Sequence, residues 1–129
     1  MASDIEIAYK QIEESLRLLQ SRLSIRDALS GGHQATSDDT PFAIARKGMV
    51  VLDMRSEYIS HKLPHFHICY KNAYEASYRI DTLERLVGEM PRKYEQDILP
   101  WATENKSYLM KVWDGIIFEG VHPRTIVIE

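Results

Sequence analysis

The chain has 129 residues, with 16 Lys plus Arg against 19 Asp plus Glu and a formal charge of −3. Hydrophobic residues make up 44% and charged residues 27%, the ordinary balance of one soluble domain with a core of its own. A single cysteine excludes an internal disulfide and hence a disulfide-built scaffold, and no apolar run approaches the roughly 20 residues of a membrane span. Asp4, Glu6 and Glu13 precede any long apolar block, so no signal peptide is expected and a cytoplasmic protein is. The mild acidity argues against coating nucleic acid by bulk charge, and any phosphate-binding role needs a local patch.

Ile5, Tyr9, Ile12, Leu16, Leu19 and Leu23 recur at alternating steps of four and three, the seam of a long amphipathic helix over 1–30. Ser3 and Glu6 stand at capping-box spacing, and Gly31-Gly32 is a ready stop. Leu18, Ile25 and Leu29 lie off the seam. The seam either docks on the chain's own domain or forms a homodimer.

Residues 33–40 read as a loop or hinge ending at Pro41, and a single domain is expected over 41–129. Phe42 and Ile44, a turn at Lys47-Gly48 and the run Met49 to Arg55 predict a hairpin. His65 to Tyr70 and Tyr74 to Ile80 predict two further strands joined by Lys71-Asn72-Ala73, and Leu83 to Gly88 a short edge strand. Pro91 suits a helix start, the helix running toward Asn105 with a kink or break at Pro100. Tyr108, Leu109, Val112 and Trp113 predict a last helix, with Trp101 and Trp113 as core anchors, and Thr125 to Ile128 a terminal strand. The order predicts an α+β fold: an antiparallel sheet of four to five strands packed by C-terminal helices, with the long N-terminal helix.

The most informative stretch runs from His61 through Lys62, Pro64, His65, Phe66 and His67 to Cys69 and Tyr70. Alternation along a strand puts Phe66, Ile68 and Tyr70 on one face and His65, His67 and Cys69 on the other. The neighbouring strands split in the same way. If their apolar sets share the core, Asp53, Arg55, His65, His67, Cys69, Glu75, Ser77 and Arg79 collect on the opposite face.

Three chemistries fit such a face. A transition-metal site, with zinc as the candidate ion, would use His65, His67 and Cys69, with Asp53 or His61 as further ligands. Metal-free cleavage of a phosphodiester would use His65 and His67 as an acid–base pair, with His61 beside them. Arg55, Arg79 and Lys62 would then hold the phosphate. The third reading is recognition without chemistry, the face meeting a partner protein or a nucleotide, or serving only as surface. Cys69 by itself is no nucleophile, His33 reads as solvated and His122, before Pro123, as part of a turn.

The run His61, Pro64, His65, Phe66, His67 resembles the motif His-x-Pro-Pro-His-Phe-His of small bacterial domains grouped as domain-of-unknown-function family 4160. The likeness continues through Ile80-Asp81, Gly88 and Pro91 to Trp101, Leu109 and Trp113, about half the chain. Leu63 replaces the first proline of the pair, and the helix before Ser30 and the tail after Asp114 extend the usual unit. The resemblance implies genomic context: such domains are often encoded beside another small protein, in arrangements like toxin–antitoxin or defence modules. It also makes His61, His65 and His67 the positions to test. The expected function is a toxin–antitoxin-like or defence-associated protein with ribonuclease-like action on RNA or a nucleotide, no fixed cofactor and a cognate partner. The alternatives are a non-catalytic binding module and a metal-binding domain.

Overall fold

The computed structural model describes residues 3–29, 49–54, 63–122 and 124–128. The chain opens with α1 (Asp4–Leu29). Its start is set locally, because the Ser3 hydroxyl accepts the Glu6 backbone N–H at 3.2 Å, one arm of a capping box. Asp4 and Glu6 in the first turn and Arg26 in the last complement the helix dipole.

All six seam residues of α1, from Ile5 to Leu23, are buried in the same core as the sheet and the other helices. A homodimer through this seam, expected as one use of the heptad pattern, has no seam to use. The reason is energetic: each of these side chains is worth roughly 1.5–3 kcal/mol when buried, and the chain's own core takes that gain. Leu18, Ile25 and Leu29 are exposed, as their off-seam positions require.

The sheet comprises β1 (Val50–Asp53), β2 (His65–Tyr70), β3 (Tyr74–Arg79), β4 (Arg85–Glu89) and β5 (Ile126–Ile128). Its order is β4-β3-β2-β1-β5, with every pair antiparallel. Lys71 and Asn72 in the β2–β3 turn both take positive φ, 61° and 58°, and Ala73 donates back to the Tyr70 carbonyl at 3.2 Å. This is the left-handed pair that matches the twist of a tight hairpin. Gly88 is required where β4 meets β3: with φ +90°, a Cβ there would lie 2.4 Å from the Glu75 carbonyl oxygen.

Between β4 and β5 come α2 (Arg92–Glu104) and α3 (Lys106–Phe118). Pro91 precedes α2 as expected, but Pro100 does not break it, and the helix runs on to Glu104. Pro100 and Gln96 are exposed, so water can reach the carbonyl that the proline leaves without a donor. Tyr94, Ile98, Trp101, Leu109, Val112 and Trp113 join Val50, Leu52, Phe66, Ile68, Tyr70, Ala76 and Tyr78 in one core. The result is a two-layer α+β fold, with helices on one face of an antiparallel sheet.

No helix among the described residues is long and apolar enough to cross a membrane. The expected partner strand at 42–44, the Lys47-Gly48 turn, Gly31-Gly32 and His33 lie outside the described residues.

Candidate functional site

The register brings much of the expected polar face together. Asp53, His67 and Ser77 lie directly opposite one another across β1, β2 and β3, and Val51, Cys69 and Glu75 form the next row. Glu75 is thus the diagonal cross-strand neighbour of His67, a spacing that long side chains bridge. Its carboxylate lies 3.0 Å from His67 Nε2, with the His67 side chain 28% exposed. A carboxylate only accepts, so Nε2 carries the hydrogen and Nδ1 is the basic nitrogen of the neutral ring.

His65 is placed differently. Alternation puts it beside His67, yet it is buried, with its ring centroid 5.0 Å from that of Trp113 on α3. Its Nδ1 donates to the Leu63 carbonyl at 2.8 Å, turning the ring back along the approach to the strand. His65 is the first residue of β2. The expected shared setting of the two histidines is therefore corrected: His67 is accessible and paired with Glu75, whereas His65 is packed against a core indole.

Arg79 lies opposite His65 in the ladder, and its guanidinium grips Asp81 with two bonds of 2.6 and 3.0 Å. Hydrogen bonding to Asp81 holds the Arg79 pKa above its ordinary value and the Asp81 carboxyl below its own. An arginine so engaged must exchange one anion for another to hold a phosphate. The Cys69 thiol is pushed above its usual pKa by burial, and the Glu75 charge adds to the shift. It is a poor nucleophile. Among the described residues no three His, Cys, Asp or Glu side chains are grouped to hold a metal ion. His61, Lys62 and Arg55 lie outside the described residues. His122 is exposed.

A second polar constellation has no counterpart in the expected sites. Asp27 of α1 is buried. Its Oδ2 accepts the Tyr70 hydroxyl at 3.0 Å and the Lys71 ammonium at 2.8 Å, and its Oδ1 accepts the Tyr94 hydroxyl at 2.5 Å. The Lys93 ammonium stands 4.0 Å from Oδ1. Burial works to raise the Asp27 pKa, but the bonds from Lys71, Tyr94 and Tyr70 outweigh it and hold the carboxyl below its ordinary value. One signal was available in the sequence: Asp27 lies one turn past Leu23, on the face that α1 buries.

Residues 51–114 match the model of a family described as a domain of unknown function, DUF4160. The match runs from β1 through β4 and α2 into α3, and includes His65, His67, Glu75, Tyr70, Lys71 and Tyr94. The helix α1 and the strand β5 flank it. No curated protein and no solved structure matches the chain.

Proposed function

We propose, for a chain that belongs to the DUF4160 family through residues 51–114, that the His67 face of the sheet acts on an RNA or nucleotide phosphodiester. The observation that carries this reading is the His67–Glu75 pair at 3.0 Å on a half-exposed sheet face. A carboxylate that fixes the tautomer and stabilises the imidazolium is what a histidine general base requires. In the proposed step His67 Nδ1 takes the proton of a ribose 2′-hydroxyl. The 2′-oxygen then bonds to phosphorus, the bond to the 5′-oxygen breaks, and the leaving oxygen takes a proton from the imidazolium or water. His65, held by Trp113 and Leu63, is a positioning residue for the strand. We further propose a bacterial toxin–antitoxin-like or defence role in the cytoplasm with a cognate partner protein, on the genomic context that the histidine-motif resemblance implies.

The test is incubation of labelled single-stranded RNA with wild type, His67→Ala and Glu75→Gln. Loss of cleavage in His67→Ala with an unchanged Tm supports the reading, and cleavage at the wild-type rate in that variant overturns it.

The second reading is a non-catalytic binding module, and the Arg79–Asp81 pair favours it. On this reading the guanidinium is already neutralised, and Asp53, Glu75 and Glu89 on neighbouring strands offer acidic groups to a basic protein segment. Salt-sensitive binding of the cognate partner, lost in Glu75→Gln while RNA stays intact, is the outcome expected of that reading.

A further inference from the structure

The groups that hold Asp27 come from elements other than α1. Tyr70 ends β2, Lys71 opens the hairpin turn, and Lys93 and Tyr94 lie in the first turn of α2. The Tyr70 and Tyr94 rings meet edge-on at 4.8 Å, and Tyr74 closes on Tyr94 at 5.6 Å. The Lys71 ammonium lies 5.3 Å from the Tyr70 ring centre and 5.8 Å from that of Tyr94, and Lys93 lies 5.0 Å from the Tyr94 ring. Aromatic faces and hairpin geometry therefore aim two hydroxyl donors and two cations at one point. All four residues fall inside the family-matched stretch, and the carboxylate they grip comes from a helix outside it.

We infer that the β2–β3 turn and the first turn of α2 form a carboxylate-binding site of the family unit, whose ligand, Asp27, α1 supplies from within the chain. The ligand class follows from the donors. Each oxygen of a planar two-oxygen anion meets one tyrosine hydroxyl and one ammonium, and the tyrosines donate as neutral groups. Lys71 is held in the left-handed region that a lysine rarely adopts, a conformation that brings its ammonium onto the anion.

Chemical rescue tests the inference on the full-length protein. Asp27→Ala removes the carboxylate and leaves room for a small one, with sodium formate as the probe and sodium chloride at equal ionic strength as the control. Formate is expected to raise the Tm of the variant saturably, by about 3 °C or more beyond chloride, and to leave wild type unmoved. Adding Tyr94→Phe should abolish the effect. A variant that responds no better to formate than to chloride overturns the inference, as does an equal response with Tyr94→Phe. Should Asp27→Ala be unfolded in buffer, recovery of the folded circular dichroism signal on formate titration is the readout. Failure to recover then overturns it.

Discussion

The ring of His65 lies 5.0 Å from the indole of Trp113, whereas His67, two residues on, reaches across the sheet to Glu75. The pair at His67 is half-exposed, its Glu75 arm open to solvent, and contributes at most about 1 kcal/mol to stability. His65 packs among buried groups and holds the Leu63 carbonyl. His65→Ala is expected to cost about 1–3 kcal/mol in denaturant unfolding, and His67→Ala less than about 1 kcal/mol. Equal costs would remove the distinction between a positioning and a working histidine.

The buried seam of α1 makes a sharp prediction about association. Leu16→Asp and Leu19→Asp place a charge in the core and should unfold the protein, losing several kcal/mol. Circular dichroism beside size-exclusion chromatography separates this from dimer disruption. A folded variant that merely elutes later would show that the seam serves association.

The Asp27 cluster contributes to the pH dependence of stability. Its carboxyl lies below the ordinary value in the folded chain, so the unfolded chain protonates first as pH falls. The stabilisation is full above the ordinary carboxylate range, from about pH 5 upward, and is lost as pH drops through the folded value. Burial, with the Asp27 charge and hydrogen bond adding to it, raises the hydroxyl pKa values of Tyr70 and Tyr94. Their contribution is present below about pH 10 and lost as pH rises toward the folded values. In Asp27→Asn, unfolding free energy measured from pH 2 to 11 should be lower by about 2–4 kcal/mol at pH 7 and fall less steeply on the acid side. An unchanged acid slope would contradict the assignment.

Cys69 offers a check on the polar face. With its thiol half-buried and its pKa raised by burial and by Glu75, alkylation by iodoacetamide at pH 7.5 should run slower than for free cysteine. Denaturant should restore the ordinary rate. Native labelling as fast as free cysteine would mean that the thiol is neither buried nor raised.

The alternation of apolar and polar residues made the strands, the buried face of α1 and the core roles of Trp101 and Trp113 readable in advance, because period and burial are local properties of the chain. The row Asp53–His67–Ser77 needed the register as well, which depends on how three strands align. The burial of His65 was not legible: the pleat is a rule for strand interiors, and this residue begins its strand. Pro100 misled for the converse reason, since a proline disrupts a helix least where its orphaned carbonyl faces water. The Asp27 cluster joins residues 43 and 67 positions apart, with only a charged residue on a buried helix face to announce it.

The most direct measurement is cleavage of a labelled RNA by purified wild type and His67→Ala, run at equal concentration with the Tm of each recorded. The proposed role of His67 requires cleavage by wild type to a 2′,3′-cyclic phosphate product, and its loss in a variant of unchanged Tm. Intact RNA with wild type, or undiminished cleavage by His67→Ala, would contradict that role.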